Sequence, residues 1–301
     1  MTQVLAIDIG GTFIKSAIVD VTHGLPSTVS NVSRTPTAVG SEDGHKLMAQ
    51  LLRIGNEAKT SAEFSAIGVI TPGLLDEERG VIRYATNLHV RDLDMREQLE
   101  SALNLPVGFG HDGRACALAE HLAGAAQGLD NFALMPIGTG ISVGLVIDGQ
   151  LPSSDGFIGE IGHANTGHSV KCECGLVGCF EAVASTASIA RRYHAATGTA
   201  VDAKFVVDAS ARGDAVAAGI WNDALDSIAI ACDWLMNTLS PEAIVFAGGL
   251  SAAGERLVAP IDERLGQRIS FQRRPKLKLA LLGDDAGILG SAALALKAAD
   301  R

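Results

Sequence analysis

The chain has 301 residues, of which 47% are hydrophobic and 19% charged, and its formal net charge is −10. That length buries one large core or two ordinary ones and, with this composition, excludes disordered and fibrous classes. The acidic balance argues against a nucleic-acid backbone as partner. No uninterrupted apolar run reaches the roughly 18 residues of a membrane helix, and the opening MTQVLAIDIGG lacks a basic start and reads as a strand. A cytoplasmic protein without membrane or nucleic-acid partners is expected.

Residues 4–8 form an apolar strand that ends in an acid, Asp8; Gly10, Gly11 and Thr12 make a tight turn, and residues 14–19 lead out as a second strand. Residues 65–69 read as the next strand, followed by the turn Thr71-Pro72-Gly73. The pattern then predicts a helix at 95–103, a short strand at 106–109 ending beside His111 and Asp112, and an Ala/Leu-rich helix at 114–126. The stretch LMPIGTGISVGLVID (134–148) aligns without gaps on AIDIGGTFIKSAIVD (6–20), matching Ile137 to Ile9, Gly138 to Gly10 and Asp148 to Asp20. The shared strand–glycine turn–strand layout points to an internal duplication. Further helices are expected at 182–195 and 215–237. A buried-type strand at 243–247 runs into Gly248-Gly249 and another helix, and 286–299 closes the chain as a helix. Strands alternating with helices imply α/β layers, with a domain seam near 110–114.

Three of the five cysteines fall within eight residues of GEIGHANTGHSVKCECGLVGCFE (159–181). His163, Cys172, Cys174 and Cys179 make a closed four-ligand set of the structural-zinc type, with His168 in the spacer as an alternative fourth ligand. The C-x-C spacing suits thiolate ligands better than a cystine. Glu160 and Glu181 bracket the cluster, and carboxylates beside an imidazole can hold several sugar hydroxyls or simply lie solvated on a surface. Cys116 and Cys232 sit in apolar helical patterns and read as core.

The glycine turns carry the remaining chemistry. Gly10, Gly11 and Thr12 either close an ordinary hairpin or offer backbone N–H groups and a hydroxyl to an anion, and Asp8 is placed to orient a hydrated magnesium ion. The sequence is not a Walker A loop, which would end in Gly-Lys-Ser/Thr. Gly138, Thr139 and Gly140 repeat the turn in the duplicated copy, which favours phosphate binding over a plain hairpin. Gly248-Gly249, between a strand and a helix, suits the close approach of an adenosine. Asp112 either caps the helix that follows or serves as a general base; the two can coexist.

These residues resemble the ROK family (repressors, open reading frames, kinases), whose enzymes are sugar kinases such as glucokinases and N-acetylhexosamine kinases. The resemblance covers nearly the whole chain: DIGGT at 8–12, Pro72-Gly73, TNL at 86–88, Asp112 with ALAE at 117–120, IGTGI at 137–141, GEIGH at 159–163, CECGLVGC at 172–179, FAGG at 246–249 and DDAGILGSAA at 284–293. It implies the α/β, two-lobed actin-like (ribonuclease H-like) sugar-kinase fold with an inserted structural zinc site. The small lobe would be 1–112 joined by the helix 286–301, the large lobe 113–285, and ATP and sugar would bind in a cleft. It implies ATP-dependent phosphorylation of a hexose, glucose at its C6 hydroxyl, with Asp112 as general base, Mg2+ on the ATP, structural Zn2+ and a homodimer. On the sugar side it implies Gly73, Asn87, His111, Asp112, Glu160, His163 and Glu181; on the ATP side Asp8, Gly10, Gly11, Thr12, Lys15, Gly138, Thr139, Gly140, Gly248 and Gly249. His163 would ligate zinc through one ring nitrogen and meet the sugar through the other.

Three departures bear on substrate. His111 stands where the family usually has Asn, and Gly113-Arg114 stand where small residues are usual. Arg114 either lies on the solvent face of its helix or leans toward an anionic group. The loop GTGISVG (138–144) is poorer in glycine than the common form. Another hexose, an N-acetylhexosamine, or an idle sugar-binding protein are the alternatives. The DIGGT strand begins almost at Met1, with no helix-turn-helix before it, so a kinase is expected rather than a repressor.

Overall fold

The computed structural model describes residues 2–300, which fall into two compact units. The first holds the chain up to Ala123, Leu151–Ile158 and the chain from Asp284; the second holds Gly124–Gln150 and Gly159–Gly283.

The first unit runs β1 (Thr2–Ile9), β2 (Phe13–Thr22), β3 (Leu25–Pro36), α1 (His45–Ser61), β4 (Ile67–Thr71), β5 (Leu74–Asp76), β6 (Val81–Ala85), β7 (Val90–Asp94), α2 (Met95–Leu103), β8 (Val107–His111) and α3 (Asp112–Ala123). Its main sheet has the order β3-β2-β1-β4-β8, and β5-β6-β7 form a small sheet of their own. β1 and β2 pair antiparallel, β1 and β4 parallel, β4 and β8 parallel. Side chains alternate between the faces of a strand. One face of the main sheet carries Leu5, Ile7, Ile9, Ile67, Val69, Val107 and Phe109, which form a core with Leu47 and Leu51 of α1 and Leu99 of α2. The other face carries Ala6, Asp8, Gly68, Gly108 and Gly110.

The second unit runs β9 (Phe132–Pro136), β10 (Gly144–Val146), α4 (Phe180–Ala184), α5 (Thr186–Thr197), α6 (Ala203–Ala211), α7 (Ala215–Leu239), β11 (Ala243–Ala247), α8 (Glu255–Gly266) and β12 (Lys276–Leu279). Its sheet has the order β10-β9-β11-β12, with β9–β10 antiparallel and β9–β11 and β11–β12 parallel. That repeats the order and sense of β2-β1-β4-β8, the topological form of the duplication read from the sequence. The helix expected at 182–195 is broken at Ser185, whose extended backbone and hydroxyl cap α5 by accepting from the Ser188 N–H. α7 is long and apolar enough by composition to cross a membrane, although the sequence has no uninterrupted apolar run of that length. It carries Asp223, Asp226 and Asp233 and buries Ile220, Trp221, Ile228 and Leu235 as a core helix.

The last helix, α9 (Ala286–Ala299), returns to the first unit. It lies on the small-residue face of the main sheet at backbone distance. A Cβ on Gly68 would fall 1.8 Å from the Ser291 carbonyl oxygen, and one on Gly108 would fall 2.1 Å from that of Leu294. The Ser291 hydroxyl, fully buried, accepts from the Ile7 N–H and donates to the Ile7 carbonyl, both at 3.1 Å. On its other side α9 brings Gly290 against α3, where a Cβ would meet the Ala115 carbonyl at 2.2 Å. This packing is why α3 belongs to the first unit, whereas the sequence put the boundary at 112/113.

Gly108→Ala should therefore lower the urea midpoint by the equivalent of about 2 kcal/mol, because overpacking at a rigid backbone contact has nowhere to relax. Gly219→Ala, exposed in α7 with nothing within 4 Å of the place its methyl would take, should leave the midpoint unchanged or raise it by roughly 0.5–1 kcal/mol.

Candidate active site

In the first unit the candidate residues gather at the carboxyl ends of β1, β4 and β8. Asp8 is the penultimate residue of the central strand and faces Lys15 across the β1–β2 pair, with Lys15 Nζ 4.0 Å from Asp8 Oδ2. Its side chain is only 19% exposed. Burial pushes the Asp8 carboxyl up from 3.8 to about 6; the Asp112 charge pushes the same way, and Lys15 and Arg34 oppose it. The turn beyond is pinned by the Gly10 N–H to the Phe13 carbonyl and by the Thr37 hydroxyl to the Gly10 carbonyl, while Gly11 and Thr12 stay exposed. Asn87, in the short turn Thr86–Leu88, lies against Gly11: a Cβ there would be 3.1 Å from the Asn87 Cβ. Gly73 has a steric role of its own, since at φ 114° a Cβ would stand 2.5 Å from the Tyr84 carbonyl.

His111 ends β8 and Asp112 opens α3. The Asp112 side chain is 41% exposed, and its Oδ1 lies 3.2 Å from His111 Nδ1. The Gly113 N–H donates to both, at 2.6 Å to Asp112 Oδ1 and 3.1 Å to His111 Nδ1. Nδ1 as acceptor leaves the ring proton on Nε2, a donor available to a hydroxyl. Arg114 lies on no solvent face: its side chain is 6% exposed and pairs with Glu77 at 3.0 Å.

In the second unit, β9 leads into the Gly138-Thr139-Gly140 turn and β11 into Gly248-Gly249. The two turns are neighbours, because β9 and β11 are adjacent parallel strands. Gly248 has φ 76°, and a Cβ would meet the Ile137 carbonyl at 2.7 Å, so only glycine lets the second turn pass the first. The break at Ser185 frees the Thr186 N–H to hold the Gly138 carbonyl at 2.8 Å. Glu181 Oε2 accepts from the Ile141 N–H at 2.8 Å, fastening α4 to the same turn. Glu160 is exposed at the start of the short turn Ile161–His163, and a Cβ on Gly162 would meet the Ile141 carbonyl at 2.3 Å. The segment bearing Glu160 and His163 thus lies directly on the strand that leaves the glycine turn.

His163, Cys172, Cys174 and Cys179 present ligand atoms that all lie within 4.8 Å of one another, and His168 is not among them. Cys174 Sγ and Cys179 Sγ are 3.7 Å apart, and Cys172 Sγ is 3.9 Å from His163 Nδ1. Tetrahedral zinc with bonds near 2.3 Å to sulfur separates two sulfurs by about 3.8 Å, so the cluster fits that ion. With Nδ1 directed at the cysteines, Nε2 of the exposed His163 is the nitrogen left for a second partner. Burial pushes the Cys179 thiol up to about 12, with the neighbouring thiols adding to it; a cation is what lets these sulfurs be thiolates together. Cys172–Cys179 curl as a knuckle closed by Cys172 N–H to the Leu176 carbonyl and Gly178 N–H to the Val170 carbonyl. Elsewhere, burial raises the thiols of Cys116 and Cys232; Cys232 is buried in the core as expected, whereas Cys116, in α3, is only half-buried.

Two residues escaped sequence reasoning. Glu77, in the turn after β5, and Gly287 of α9, where a Cβ would reach within 2.6 Å of Asp8 Oδ2, lie tens to hundreds of positions from the groups they touch.

The fold and the cluster together define an actin-like α/β ATPase of the sugar-kinase type with a Cys/His knuckle. The ROK family model matches residues 4–298, and the chain belongs to the ROK family. It is 31% identical to the glucokinase of Halalkalibacterium halodurans over 95% of this chain and 92% of that protein. The crystal structure of the ROK hexokinase from Thermus thermophilus superposes with a TM-score of 0.82 at 32% identity, covering 100% of both chains. The ROK glucokinase from Streptomyces griseus, solved in complex with glucose and AMPPNP, superposes with a TM-score of 0.80 at 26% identity over 98% of this chain and 99% of that one.

Two outcomes follow. Asp8 is harder to ionise folded than unfolded, so its contribution to stability is unfavourable above pH 6 and vanishes below about pH 4. Asp8→Asn should be more stable than the parent in metal-free buffer at pH 7–8, by up to roughly 3 kcal/mol, with the difference fading as pH falls through 6 to 4 in urea titrations. Purified protein should also carry about one zinc per chain by atomic absorption, and Cys172→Ser should lose it together with several degrees of melting temperature.

Proposed function

We propose that the chain is an ATP-dependent sugar kinase that transfers the γ-phosphoryl group to a hexose hydroxyl, glucose at C6 being the leading substrate. The observation that carries this reading is the pair of unlike carboxylates in the first unit: Asp8 largely buried with its carboxyl raised, Asp112 more open at the start of α3 and close enough to act on it. Whole-length similarity to a glucokinase and to a kinase solved with glucose and AMPPNP supports the same chemistry.

Asp112 takes the proton of the attacking hydroxyl as the oxygen bonds to the γ-phosphorus and the bond to ADP breaks. His111 Nε2–H and Asn87 orient the sugar from the first unit. In the second unit, taken by itself, Glu160 and the free nitrogen of His163 are groups suited to sugar hydroxyls. Glu181, with one oxygen committed to Ile141, couples that loop to the Gly138 turn. In the first unit the backbone N–H groups at Gly10–Thr12, with Lys15, are suited to phosphates; in the second, those at Gly138–Gly140 are suited to phosphates and Gly248-Gly249 to an adenosine. Asp8 fits Mg2+ because a cation relieves its burial and the repulsion from Asp112; when bound the ion neutralises phosphate charge. His163 and the three cysteines would hold zinc, whose part would be to fix the orientation of the His163 ring, since four protein ligands leave no open position for chemistry.

With Mg-ATP the protein should convert glucose to its 6-phosphate, identified by coupled assay and phosphorus NMR. Asp112→Asn should lower kcat roughly 10²- to 10⁴-fold while glucose binding by calorimetry persists. No phosphorylation across glucose, mannose, fructose, allose and the N-acetylhexosamines would contradict the proposal.

A further inference from the structure

The turn that carries Asp112 is fastened from behind by groups with no assigned role. β8 is an edge strand, so the polar groups along its outer margin have no strand to pair with. Side chains stand in. Glu100 Oε1 accepts from the Val107 N–H at 2.9 Å, and Arg96 Nε donates to the Val107 carbonyl at 3.2 Å. Glu77 Oε1 accepts from the His111 N–H at 2.6 Å, one residue before Asp112. That same Glu77 oxygen receives Arg114 Nε at 3.2 Å and lies 3.0 Å from Arg114 Nη2. Arg96 holds the main chain beneath Glu77 in turn, donating to the Glu77 and Glu78 carbonyls at 2.8 and 2.6 Å. One carboxylate oxygen therefore grips the catalytic turn on both sides, at residue 111 through the backbone and at residue 114 through a guanidinium. Gly113, between them, has no side chain to stiffen the turn.

We propose that Glu77 and Arg114 are positioning residues for phosphoryl transfer. Their nearly buried ion pair sets the rotation of the His111–Asp112–Gly113 turn, and with it the direction of the Asp112 carboxylate and of the His111 ring. The inference rests on Asp112 being the general base. The pair is held by charge as well as shape: Arg114 neutralises a carboxylate that otherwise sits, partly desolvated, behind the turn. Removing either partner leaves the other's charge uncompensated, and an error near 1 Å in a reacting group costs on the order of 10²-fold in rate. Arg114 and Glu77 also line a pocket of about 360 Å³ whose wall includes His111, Leu118 and Ser153. A hole left by truncating Arg114 is thus open to a small cation from solution.

The test is steady-state kinetics with Mg-ATP and the preferred sugar on Arg114→Ala, Arg114→Lys, Glu77→Gln and Asp112→Asn, each checked for fold and zinc content. Arg114→Ala and Glu77→Gln should lower kcat at least tenfold with KM for ATP unchanged, Arg114→Lys should fall between them and the parent, and the Glu77→Gln, Arg114→Ala double variant should be no worse than the poorer single. Guanidinium chloride at low, non-denaturing concentration should raise kcat of Arg114→Ala several-fold over a potassium chloride control, and leave Glu77→Gln and Asp112→Asn unmoved. Folded Arg114→Ala and Glu77→Gln at parental kcat, or an Arg114→Ala that guanidinium does not rescue, would overturn the inference. Where Arg114→Ala does not fold, Glu77→Gln carries the tenfold kcat criterion, and an Arg114→Lys at parental kcat would count against the inference. An active Asp112→Asn would instead mean that the general-base assignment has failed.

Discussion

In the first unit α9 rests on β4 and β8 backbone to backbone through Gly68 and Gly108, where no Cβ fits. The rest of that unit's chemistry depends on this contact. Glycine on two parallel strands makes one face of the sheet shallow, and an Ala-rich helix with Gly287, Gly290 and Ser291 fills it. The Ser291 hydroxyl satisfies backbone groups of Ile7, one residue before Asp8. Gly287 comes so near Asp8 that the helix start forms part of the wall burying its carboxyl. Gly290 seats α3, and α3 begins with Asp112. A single packing surface therefore positions both carboxylates on which phosphoryl transfer is proposed to turn, one largely buried and one more open.

The second unit uses the same economy of close approach around a different anchor. Its glycine turn at 138–140 is tied to Thr186 because a serine breaks the helix before it, and to Glu181 through Ile141. Gly162 lets the segment with Glu160 and His163 lie on the Ile141 backbone. The knuckle from Cys172 to Cys179 then clamps the other end of that segment through His163. The loop bearing Glu160 and His163 and the Gly138–Gly140 turn are therefore one packed body.

Much of this was legible in sequence because it is local. The strand ending in Asp8, the helices at 95–103 and 286–299, the strand at 243–247 and the three clustered cysteines all announce themselves by pattern over a few residues, and the repeated strand–glycine turn–strand layout corresponds to β1–β2 and β9–β10. What sequence missed is long-range. Glu77, in the DEERG run at 76–80, drew no reading from the sequence, yet it bonds His111 and Arg114, which lie 34 and 37 residues away. Arg114 in an Ala/Leu helix has no local sign of burial; its partner decides it. The helix at 182–195 was continuous by periodicity, and only the capping geometry of Ser185 breaks it. Choosing between His163 and His168 needed the fold of the knuckle, which leaves the His168 ring outside the cluster and packs its carbonyl at Gly178.

If the seat of α9 sets the cation-binding geometry of Asp8, a methyl at its closest point should be read in the metal requirement. The direct measurement is the half-saturating Mg2+ concentration for sugar phosphorylation by Gly287→Ala, whose Cβ would stand 2.6 Å from Asp8 Oδ2. The account predicts a Mg2+ requirement raised several-fold, with zinc content and sugar binding retained. A Gly287→Ala protein with parental Mg2+ dependence and parental kcat would contradict it.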